Sequence, residues 1–469
     1  MFYGRQTELN ALEALYSQKT SSLVTVYGRR RVGKSTLIRH FVNKRSHLIF
    51  EGIENVSELK QIQSLMQMFK QQTQNSDLDF IKLETWEDFF RFLSGYVQKH
   101  SKDKMVLVFD EFQWMCQGRS DVVSLFKYYW DAHFKNLNLV FILCGSIASF
   151  MVNKVIRSKA LYGRLSLALQ VKKLKPEDAA KFISRTRSSA EIIKYLMILG
   201  GVPKYWELIK QNKSFEQNIE EMFFSQHPLF EQEFEKIFYS HFKEPQNYLK
   251  IVKFLISGPK NLDEIAQHLK MKSSGGISRY LRNLELAEFV RAEIPFDKPL
   301  ESKTRKYRLC DEFLVFYAKY VLPNEKSIKE GQGPTVFRNK VQSKWAPWMG
   351  IAFERFCVNH SLWLAEKMGF LDKVESYGPY WNRKDTQFQV DLIFRRSDNV
   401  ITLCEMKFSD KPIGVEVIKE VQRKCELITI PKNHTLEKAL ITVNGIDRSV
   451  KTLEYFDHVL DIEDFRLDR

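Results

Sequence analysis

A glycine-framed loop follows the first strongly apolar segment of the chain and carries residue types that bind a phosphate. Its sequence is Gly28-Arg29-Arg30-Arg31-Val32-Gly33-Lys34-Ser35-Thr36, which has the spacing G-x-x-x-x-G-K-[ST]. The two glycines let the backbone turn its N–H groups toward a phosphate. Lys34 can reach the β- and γ-phosphates, and Ser35 can place a hydroxyl on Mg²⁺. The loop therefore predicts a nucleotide site formed by these nine residues.

An acidic pair, Asp110 and Glu111, ends the apolar segment 105–109. Ligands bind at the carboxyl ends of the strands in doubly wound sheets. We expect Asp110 to hold Mg²⁺, and Glu111 to orient and polarise the attacking water. Further along, Arg164 could contact a phosphate within its own chain or from a neighbouring copy in a homo-oligomer. A solvated or salt-bridged arginine is the alternative.

A second group of charged residues lies near the C-terminal end, inside two apolar segments that predict strands. Glu405 and Lys407 are two residues apart and project from the same face of their strand, and Asp391 can meet them from the neighbouring strand. Two carboxylates bind Mg²⁺, and a lysine favours the hydroxide nucleophile and the charge of a phosphorane. A surface salt bridge is the alternative.

Between these two groups, residues 246–310 predict three short helices followed by a β-hairpin. This order is typical of a winged helix-turn-helix. Five basic residues of the third helix and the hairpin suit phosphate contacts. They are Arg279, Arg282, Lys303, Arg305 and Lys306. The alternative is that the module only packs against another domain.

The composition narrows the classes of protein. Hydrophobic residues make up 44% of 469 residues, which excludes a disordered chain. No apolar run approaches the roughly 18 residues of a membrane span, and no signal peptide is evident, so we expect a cytoplasmic protein without a membrane partner. The six cysteines are scattered, which favours buried thiols. The net charge of +15 is compatible with a polyanionic partner.

The N-terminal two-thirds of the chain resembles the archaeal-type AAA ATPases of the STAND clade. The residues that carry the resemblance are Gly4-Arg5, Gly28 to Ser35, Asp110-Glu111, Ser146 and Gly201-x-Pro203. The resemblance implies ATP and Mg²⁺ as ligands, Arg5 and Pro203 near the adenine, and Ser146 as a polar sensor of the γ-phosphate or the water. The alternatives are a surface arginine for Arg5, a helix stop and restart for Pro203 and a helix N-cap for Ser146.

The tail resembles the PD-(D/E)xK nuclease superfamily, whose fold is restriction-endonuclease-like. The residues that carry the resemblance are Glu354, Asp391, Glu405 and Lys407. Val390 departs from the pattern, since the family signature often has proline there. The resemblance implies metal-dependent DNA cleavage by these four residues, with Asp391 and Glu405 as metal ligands.

These features predict an α/β protein of four domains. An ATPase domain with a P-loop parallel sheet spans 1–173, and a helical lid spans 174–245. The winged helix-turn-helix spans 246–320, and a C-terminal α/β restriction-endonuclease-like domain spans 341–469. Because residues 322–340 contain Pro323, Gly331, Gly333 and several lysines, they predict an exposed linker.

The predicted function is that of a Mg²⁺-dependent ATPase. Its nucleotide state would be coupled to a DNA-binding winged helix and to a metal-dependent DNA nuclease domain. The alternative is a nucleotide-dependent regulatory switch in which the nuclease-like domain is an inactive scaffold. The predicted cofactors are ATP and Mg²⁺, and the predicted partner is nucleic acid, with DNA favoured.

Overall fold

The structure is a computed structural model that divides into two compact units. It describes residues 2–74, 81–100, 103–117, 121–242, 244–271, 275–298, 304–381, 389–465 and 467, without the side chains of residues 184 and 464. The first unit comprises Met1–Leu174 with Val202–Lys204, and the second comprises Lys175–Gly201 with Tyr205–Arg469. The predicted domain boundaries stay a prediction.

The first unit is a five-stranded parallel sheet with helices. Its strands are β1 (Ser22–Tyr27), β2 (His47–Glu51), β3 (Met105–Asp110), β4 (Leu139–Gly145) and β5 (Leu165–Gln170). Its helices are α1 (Gln6–Tyr16), α2 (Lys34–Val42), α3 (Glu58–Thr73), α4 (Trp86–His100), α5 (Phe112–Cys116), α6 (Asp121–Ala132) and α7 (Ala148–Phe150). The strand order is β2-β3-β4-β1-β5, and each neighbouring pair is parallel. The predicted α/β fold with a parallel sheet is confirmed.

The strands of this sheet are apolar because both of its faces are covered. Leu107 and Phe109 of β3 pack into one core, whereas Val106 and Val108 pack into a second core on the opposite face. This alternation follows the two-residue period of a β-strand. A strand that is buried on both faces therefore has a continuous apolar sequence. The carboxyl ends of β1, β3 and β4 share one edge, so the residues that follow them can form one site.

The second unit contains the remaining elements. Its helices are α8 (Pro176–Ala180), α9 (Ser189–Leu199), α10 (Pro203–Trp206, which begins in the first unit), α11 (Phe215–Phe223), α12 (Glu233–His241), α13 (Pro245–Leu255), α14 (Leu262–Leu269), α15 (Gly275–Leu286), α16 (Glu312–Phe316), α17 (Glu325–Ser327), α18 (Gly333–Val336), α19 (Trp345–Asn359), α20 (Ser361–Lys367), α21 (Glu416–Leu427) and α22 (Arg448–Thr452). Its strands are β6 (Val290–Glu293), β7 (Lys306–Leu309), β8 (Val374–Trp381), β9 (Gln389–Arg396), β10 (Val400–Lys407), β11 (Thr435–Thr442) and β12 (His458–Asp461).

The C-terminal strands form a mixed sheet in the order β12-β11-β10-β9-β8. Strand β9 is antiparallel to β8 and β10, whereas β10, β11 and β12 are parallel. Helix α19 packs on this sheet, where the Phe353 ring lies 5.8 Å from that of Phe408. The start of β9 and the end of β10 meet at the same edge of the sheet.

Helices α13 to α15 precede an antiparallel hairpin of β6 and β7, in the order predicted from the sequence. The chain that leaves β6 packs against the C-terminal sheet. The Phe296 N–H donates to the Pro379 carbonyl at 3.1 Å, and its ring lies 5.6 Å from that of Tyr380. The segment that follows β6 therefore shares a core with the C-terminal sheet.

The prediction of an exposed linker at 322–340 is wrong. Short α, 3-10 and π segments continue the helix from α16 to α19. Its apolar residues Ile328, Val336 and Phe337 are buried, and the Phe337 ring lies 5.3 Å from that of Phe224. Gly331 is accommodated at a kink with φ +82°. Apolar burial thus outweighs the helix-breaking tendency of glycine and proline here.

Two predictions from composition can also be compared with the structure. All six cysteines are free thiols. The prediction of buried thiols is confirmed for four of them, whereas Cys310 and Cys425 are half-buried. Within the described ranges, no helix combines the length and apolarity needed to cross a membrane.

Candidate functional site

The glycines of the phosphate-binding loop are required by the backbone. Gly28 has φ +153°, and a Cβ atom built on it would lie 2.3 Å from the Val171 carbonyl oxygen. Gly33 has φ +91°, which side chains rarely adopt. The loop therefore packs closely against the end of β5 and turns into α2, whose first-turn N–H groups face an incoming ligand.

The charged and hydroxyl groups of the loop are held by neighbours. The Lys34 side chain is only 6% exposed, and its Nζ donates to the Arg29 carbonyl at 3.0 Å. The Ser35 hydroxyl donates to Asp110 Oδ2 at 2.7 Å across the sheet edge. A hydroxyl and a carboxylate side by side are oxygen ligands of the kind that Mg²⁺ prefers, so these two residues fit the predicted metal site.

The other predicted loop residues differ in burial. Arg29 and Val32 are buried, Arg30 is half-buried, and Arg31 and Thr36 are exposed. Their contribution to a nucleotide site would come mainly from main-chain N–H groups, because such a loop binds phosphate through its backbone.

Glu111 is held beside the loop by two polar side chains. It has φ +50°, a left-handed conformation that is unusual for a residue with a side chain. Its Oε2 accepts hydrogen bonds from the Ser146 hydroxyl at 2.7 Å and from Gln113 Nε2. The structure thus brings the predicted Ser146 to the predicted Glu111. Gln113 was missed by sequence reasoning, although a polar residue between Phe112 and Met115 is a signal.

Arg5 contacts the phosphate-binding loop from the N-terminal segment. Its Nη2 donates to the carbonyls of Val32 at 2.8 Å and Lys172 at 2.6 Å, and its Nη1 pairs with Glu8 at 2.9 Å. Arg5 is buried and holds the loop backbone in place through these hydrogen bonds. The alternative interpretation of Arg5 as a surface arginine is therefore wrong. Contact with an adenine stays a prediction.

Pro203 lies next to the loop although the residues around it in sequence belong to the second unit. Residues Val202–Lys204 form part of the first unit. The Pro203 Cγ lies 3.8 Å from the position of a Cβ built on Gly33. This places the proline beside the predicted nucleotide site.

Arg164 forms an ion pair that the sequence analysis had left as an alternative. Its Nε and Nη2 each donate to a different oxygen of Asp131 at 2.8 Å. The Arg164 guanidinium lowers the pKa of the Asp131 carboxyl well below its usual range. In the structure the Arg164 guanidinium is bound by the Asp131 carboxylate. Contact between Arg164 and a phosphate stays a prediction.

A second cluster lies at the edge of the C-terminal sheet. Strands β9 and β10 pair in register up to Leu392 opposite Cys404, and one further step along both strands places Asp391 beside Glu405. Glu405 is only 5% exposed and pairs with Lys407 Nζ at 3.0 Å. The structure therefore brings together the three strand residues that were predicted to converge.

Helix α21 adds two residues that sequence reasoning missed, Glu420 and Lys424. Lys424 Nζ lies 2.6 Å from Glu405 Oε2, and Glu420 Oε2 lies 2.7 Å from Lys407 Nζ. Although burial lowers the pKa of Lys424, the Glu405 carboxylate raises it above its ordinary value. The spacing of four residues between Glu420 and Lys424 on a helix is a signal for a shared face. We call Glu354, Asp391, Glu405, Lys407, Glu420 and Lys424 the carboxylate–lysine cluster.

Glu354 of α19 faces this cluster. Burial, together with the nearby Asp391 and Glu405 carboxylates, raises the pKa of Glu354 to about 7. Lys407 and Lys424 act in the opposite direction. All four residues of the nuclease resemblance thus lie within electrostatic reach of one another. Within the described part of the chain, no three His, Cys, Asp or Glu side chains are arranged to hold a metal ion by themselves.

The predicted DNA-contacting residues have different surroundings. Arg279 and Arg282 are exposed on α15, three residues apart. Arg305 lies near the Glu285 carboxylate. Lys306 Nζ lies 4.9 Å from the centre of the Trp381 ring of β8, a cation–π contact. Lys303 lies outside the described residues.

Comparison with known families supports the first site more strongly than the second. Residues 2–209 match a family described as an ATPase domain predominantly from Archaea. Residues 317–423, which include most of the carboxylate–lysine cluster, match a family of archaeal and bacterial proteins of unknown function.

Individual relatives extend this comparison. An uncharacterized protein of Methanocaldococcus jannaschii is 28% identical over 473 residues, which cover 99% of this chain and 100% of that protein. An uncharacterized ATP-binding protein of the same organism is 42% identical over 45 residues, or 10% of this chain and 76% of that protein. A solved structure, a Walker-type ATPase of Pyrococcus abyssi, has a TM-score of 0.50 at 21% identity, covering 68% of this chain and 96% of that one.

The fold, the loop geometry and these relatives agree on the first unit. The solved structure shows a shared fold, and the family match adds nucleotide-binding ATPase function. Through residues 2–209, the chain therefore belongs to the family of P-loop ATPase domains found predominantly in Archaea.

Proposed function

We propose that this protein is a Mg²⁺-dependent ATPase that acts on DNA. The observation that carries the proposal is the pair of contacts at one sheet edge, Ser35 with Asp110 and Ser146 with Glu111. Lys34 and the loop amides bind the triphosphate, and Ser35 and Asp110 hold Mg²⁺. When bound, Mg²⁺ neutralises negative charge on the phosphates. Glu111 accepts the proton of the attacking water.

The test of this proposal is a measurement of ATP hydrolysis by the full chain. We expect hydrolysis with Mg²⁺ and its loss in EDTA, because the hydroxyl and carboxylate pair is suited to a hard cation. The assay is repeated with single-stranded and with double-stranded DNA. A rate that neither form of DNA changes would contradict the coupling of the ATPase to DNA.

We propose that α13 to α15 and the β6–β7 hairpin form a winged helix-turn-helix that binds DNA. Exposed Arg279 and Arg282 support this, since arginines on one helix face can contact successive phosphates. We expect the Arg279→Ala/Arg282→Ala variant to bind duplex DNA about tenfold more weakly and with a smaller salt dependence. The matched control is Arg338→Ala, which removes another exposed arginine of the second unit.

The carboxylate–lysine cluster is proposed as a metal-dependent DNA nuclease site. Support comes from Asp391 and Glu405 on adjacent strands with Lys407 beside them. Asp391 and Glu405 would hold the metal, and further ligands would come from water and a DNA phosphate. A plasmid nicking assay with Mg²⁺ or Mn²⁺ compares the wild type with Asp391→Ala. We expect the wild type to nick the plasmid and the variant to be inactive.

The second candidate function is a nucleotide-dependent switch whose C-terminal domain is a scaffold. This candidate is favoured because both carboxylate oxygens of Glu405 are already paired with lysines. Under this proposal, ATP binding and hydrolysis persist while the wild type does not cut DNA. The absence of nicking with either metal, with and without ATP, would select this candidate.

A further inference from the structure

The carboxylate of Glu111 is fixed through only one of its two oxygens. Oε2 accepts from the Ser146 hydroxyl at 2.7 Å and from Gln113 Nε2. The same Gln113 nitrogen also lies 3.2 Å from the Ser146 hydroxyl, which closes a triangle of polar groups. Among the residues that the structure describes, none donates a hydrogen bond to Oε1.

The local backbone places Gln113 in this position. The left-handed turn at Glu111, with φ +50°, starts α5 immediately after β3, so the second residue of the helix points back to the acidic pair. At the end of β4, a Cβ built on Gly145 would lie 2.6 Å from Gln113 Oε1 and 2.5 Å from Met151 Sδ. Glycine at position 145 therefore leaves the space that the Gln113 amide occupies.

Packing alone does not account for a glutamine at this position. Gln113 is 3% exposed, and the other buried residues of α5 are the apolar Phe112, Met115 and Cys116. Burying an amide costs free energy unless its polar atoms are bonded. No described residue forms a hydrogen bond with Gln113 Oε1, so only the Nε2 side of the buried amide is compensated. Its bonded half is the one directed at Glu111 and Ser146.

We propose that Gln113 is a positioning residue for ATP hydrolysis. This inference rests on the proposed ATPase function. Gln113 and Ser146 hold Oε2 of Glu111, so that Oε1 is presented to the attacking water. Oε1 takes a proton from that water, and the water oxygen bonds to the γ-phosphorus. The bond from that phosphorus to the oxygen bridging it to ADP breaks, and ADP leaves with the electron pair.

The first test measures kcat, KM and the dissociation constant of Mg²⁺–ATP for Gln113→Leu. Loss of one hydrogen bond to a charged group predicts a fall in kcat of about tenfold to a hundredfold. KM and the dissociation constant should stay within about threefold, because Gln113 does not contact the phosphate-binding loop through any hydrogen bond the structure shows. Gln113→Met is a second variant of similar length in case the first does not fold.

A further variant, Gln113→Glu, tests whether residue 113 lies against the group that accepts the proton. It retains the size of the side chain but places a carboxylate next to Glu111. A like charge disfavours ionisation of Glu111, so the acid limb of the kcat–pH profile should move to higher pH. An unchanged profile in folded Gln113→Glu would show that residue 113 does not lie against the group that accepts the proton, and would overturn the inference.

The matched control is Gln61→Leu, which replaces another fully buried glutamine of the first unit. Gln61 accepts a hydrogen bond from the Ile53 N–H at 2.9 Å and lies in α3. We expect its kcat per folded molecule to match that of the wild type. A lowered kcat here, equal to that of the Gln113 variants, would show a general response to core substitution and overturn the inference.

Three further results would overturn the inference in distinguishable ways. If the wild type hydrolyses ATP and folded Gln113→Leu stays within twofold in kcat, the positioning role alone is wrong. If folded Gln113 variants lose ATP binding, the residue has a structural role instead. If the wild type hydrolyses no ATP with or without DNA, the proposed ATPase function fails and this inference fails with it.

Discussion

At the phosphate-binding loop, neutral groups hold the lysine and the carboxylates. In the carboxylate–lysine cluster, the lysines and the carboxylates form ion pairs with each other. Lys34 donates to a main-chain carbonyl, and Asp110 accepts from a hydroxyl. Glu405, by contrast, contacts the ammonium groups of Lys407 and Lys424. Among the described residues neither Lys34 nor Asp110 forms an ion pair, so an incoming anion and cation meet charges held by hydrogen bonds to neutral groups. At the second they must compete with an existing ion-pair network.

This difference matches the strength of the functional assignment in each region. Neutral donors orient a charge without cancelling it, which is the arrangement that favours ligand binding and catalysis. A buried ion pair contributes little net stability but is costly to break from one side. The first site should thus respond to substitution mainly in activity, and the second mainly in stability.

The largest effect is expected for Glu111→Gln, which keeps the size of the side chain and removes its basicity. Loss of a general base predicts a fall in kcat of about a thousandfold. ATP binding should be retained, as measured by titration with a fluorescent ATP analogue. The melting temperature should change little, because the partners of Glu111 are neutral donors. A large loss of stability in Glu111→Gln would contradict the expectation that substitutions at the first site change activity rather than stability.

Lys34→Ala should weaken ATP binding by at least about a hundredfold, because it removes a charge-assisted contact to two phosphates. The same fluorescence titration measures the loss. Lys60→Ala, which removes an exposed lysine of the first unit, serves as control. Retained ATP affinity in Lys34→Ala with a native fold would refute the assignment of the loop.

For Glu405→Ala we expect a loss of stability, since the change leaves Lys407 and Lys424 with only the more exposed Glu420 carboxylate as a partner. Breaking a buried pair costs about 3–5 kcal/mol, and the partial exposure of both lysines reduces the expected cost to about 2 kcal/mol. Chemical denaturation of the full chain measures it. Glu416→Ala, which removes an exposed carboxylate of α21, should change stability much less. Equal losses in both variants would contradict the ion-pair network.

The smallest expected effect concerns the pH dependence of stability in EDTA. Glu354 has its pKa raised to about 7 in the folded chain, so the folded state binds more protons than the unfolded state between pH 4.5 and 7. Its contribution to stability is therefore lost as the pH rises through this window. Glu354→Gln should be more stable than the wild type by about 1–2 kcal/mol at pH 8 and equal at pH 4. Glu366→Gln, at an exposed site on α20, should show no such difference.

Much of the first unit could be predicted because its features are local. The apolar strand, the glycine turn and the helix N-terminus lie within about fifteen consecutive residues, and the acidic pair follows directly from a buried strand. Glu405 and Lys407 were likewise placed on one face by the strand period. The helical segment at 322–340 was mispredicted, because burial of Phe337 against Phe224 is a long-range contact.

The sequence by itself determined the nucleotide-binding loop, the parallel sheet and the identity of the acidic residues at its edge. Backbone conformation over a few neighbouring residues suffices for these. Only the tertiary structure decided that Arg164 pairs with Asp131, that Gln113 reaches Glu111, and that Lys424 reaches Glu405. Each of these depends on which side chains from separate elements share a desolvated space, and the packing of the folded chain sets that arrangement.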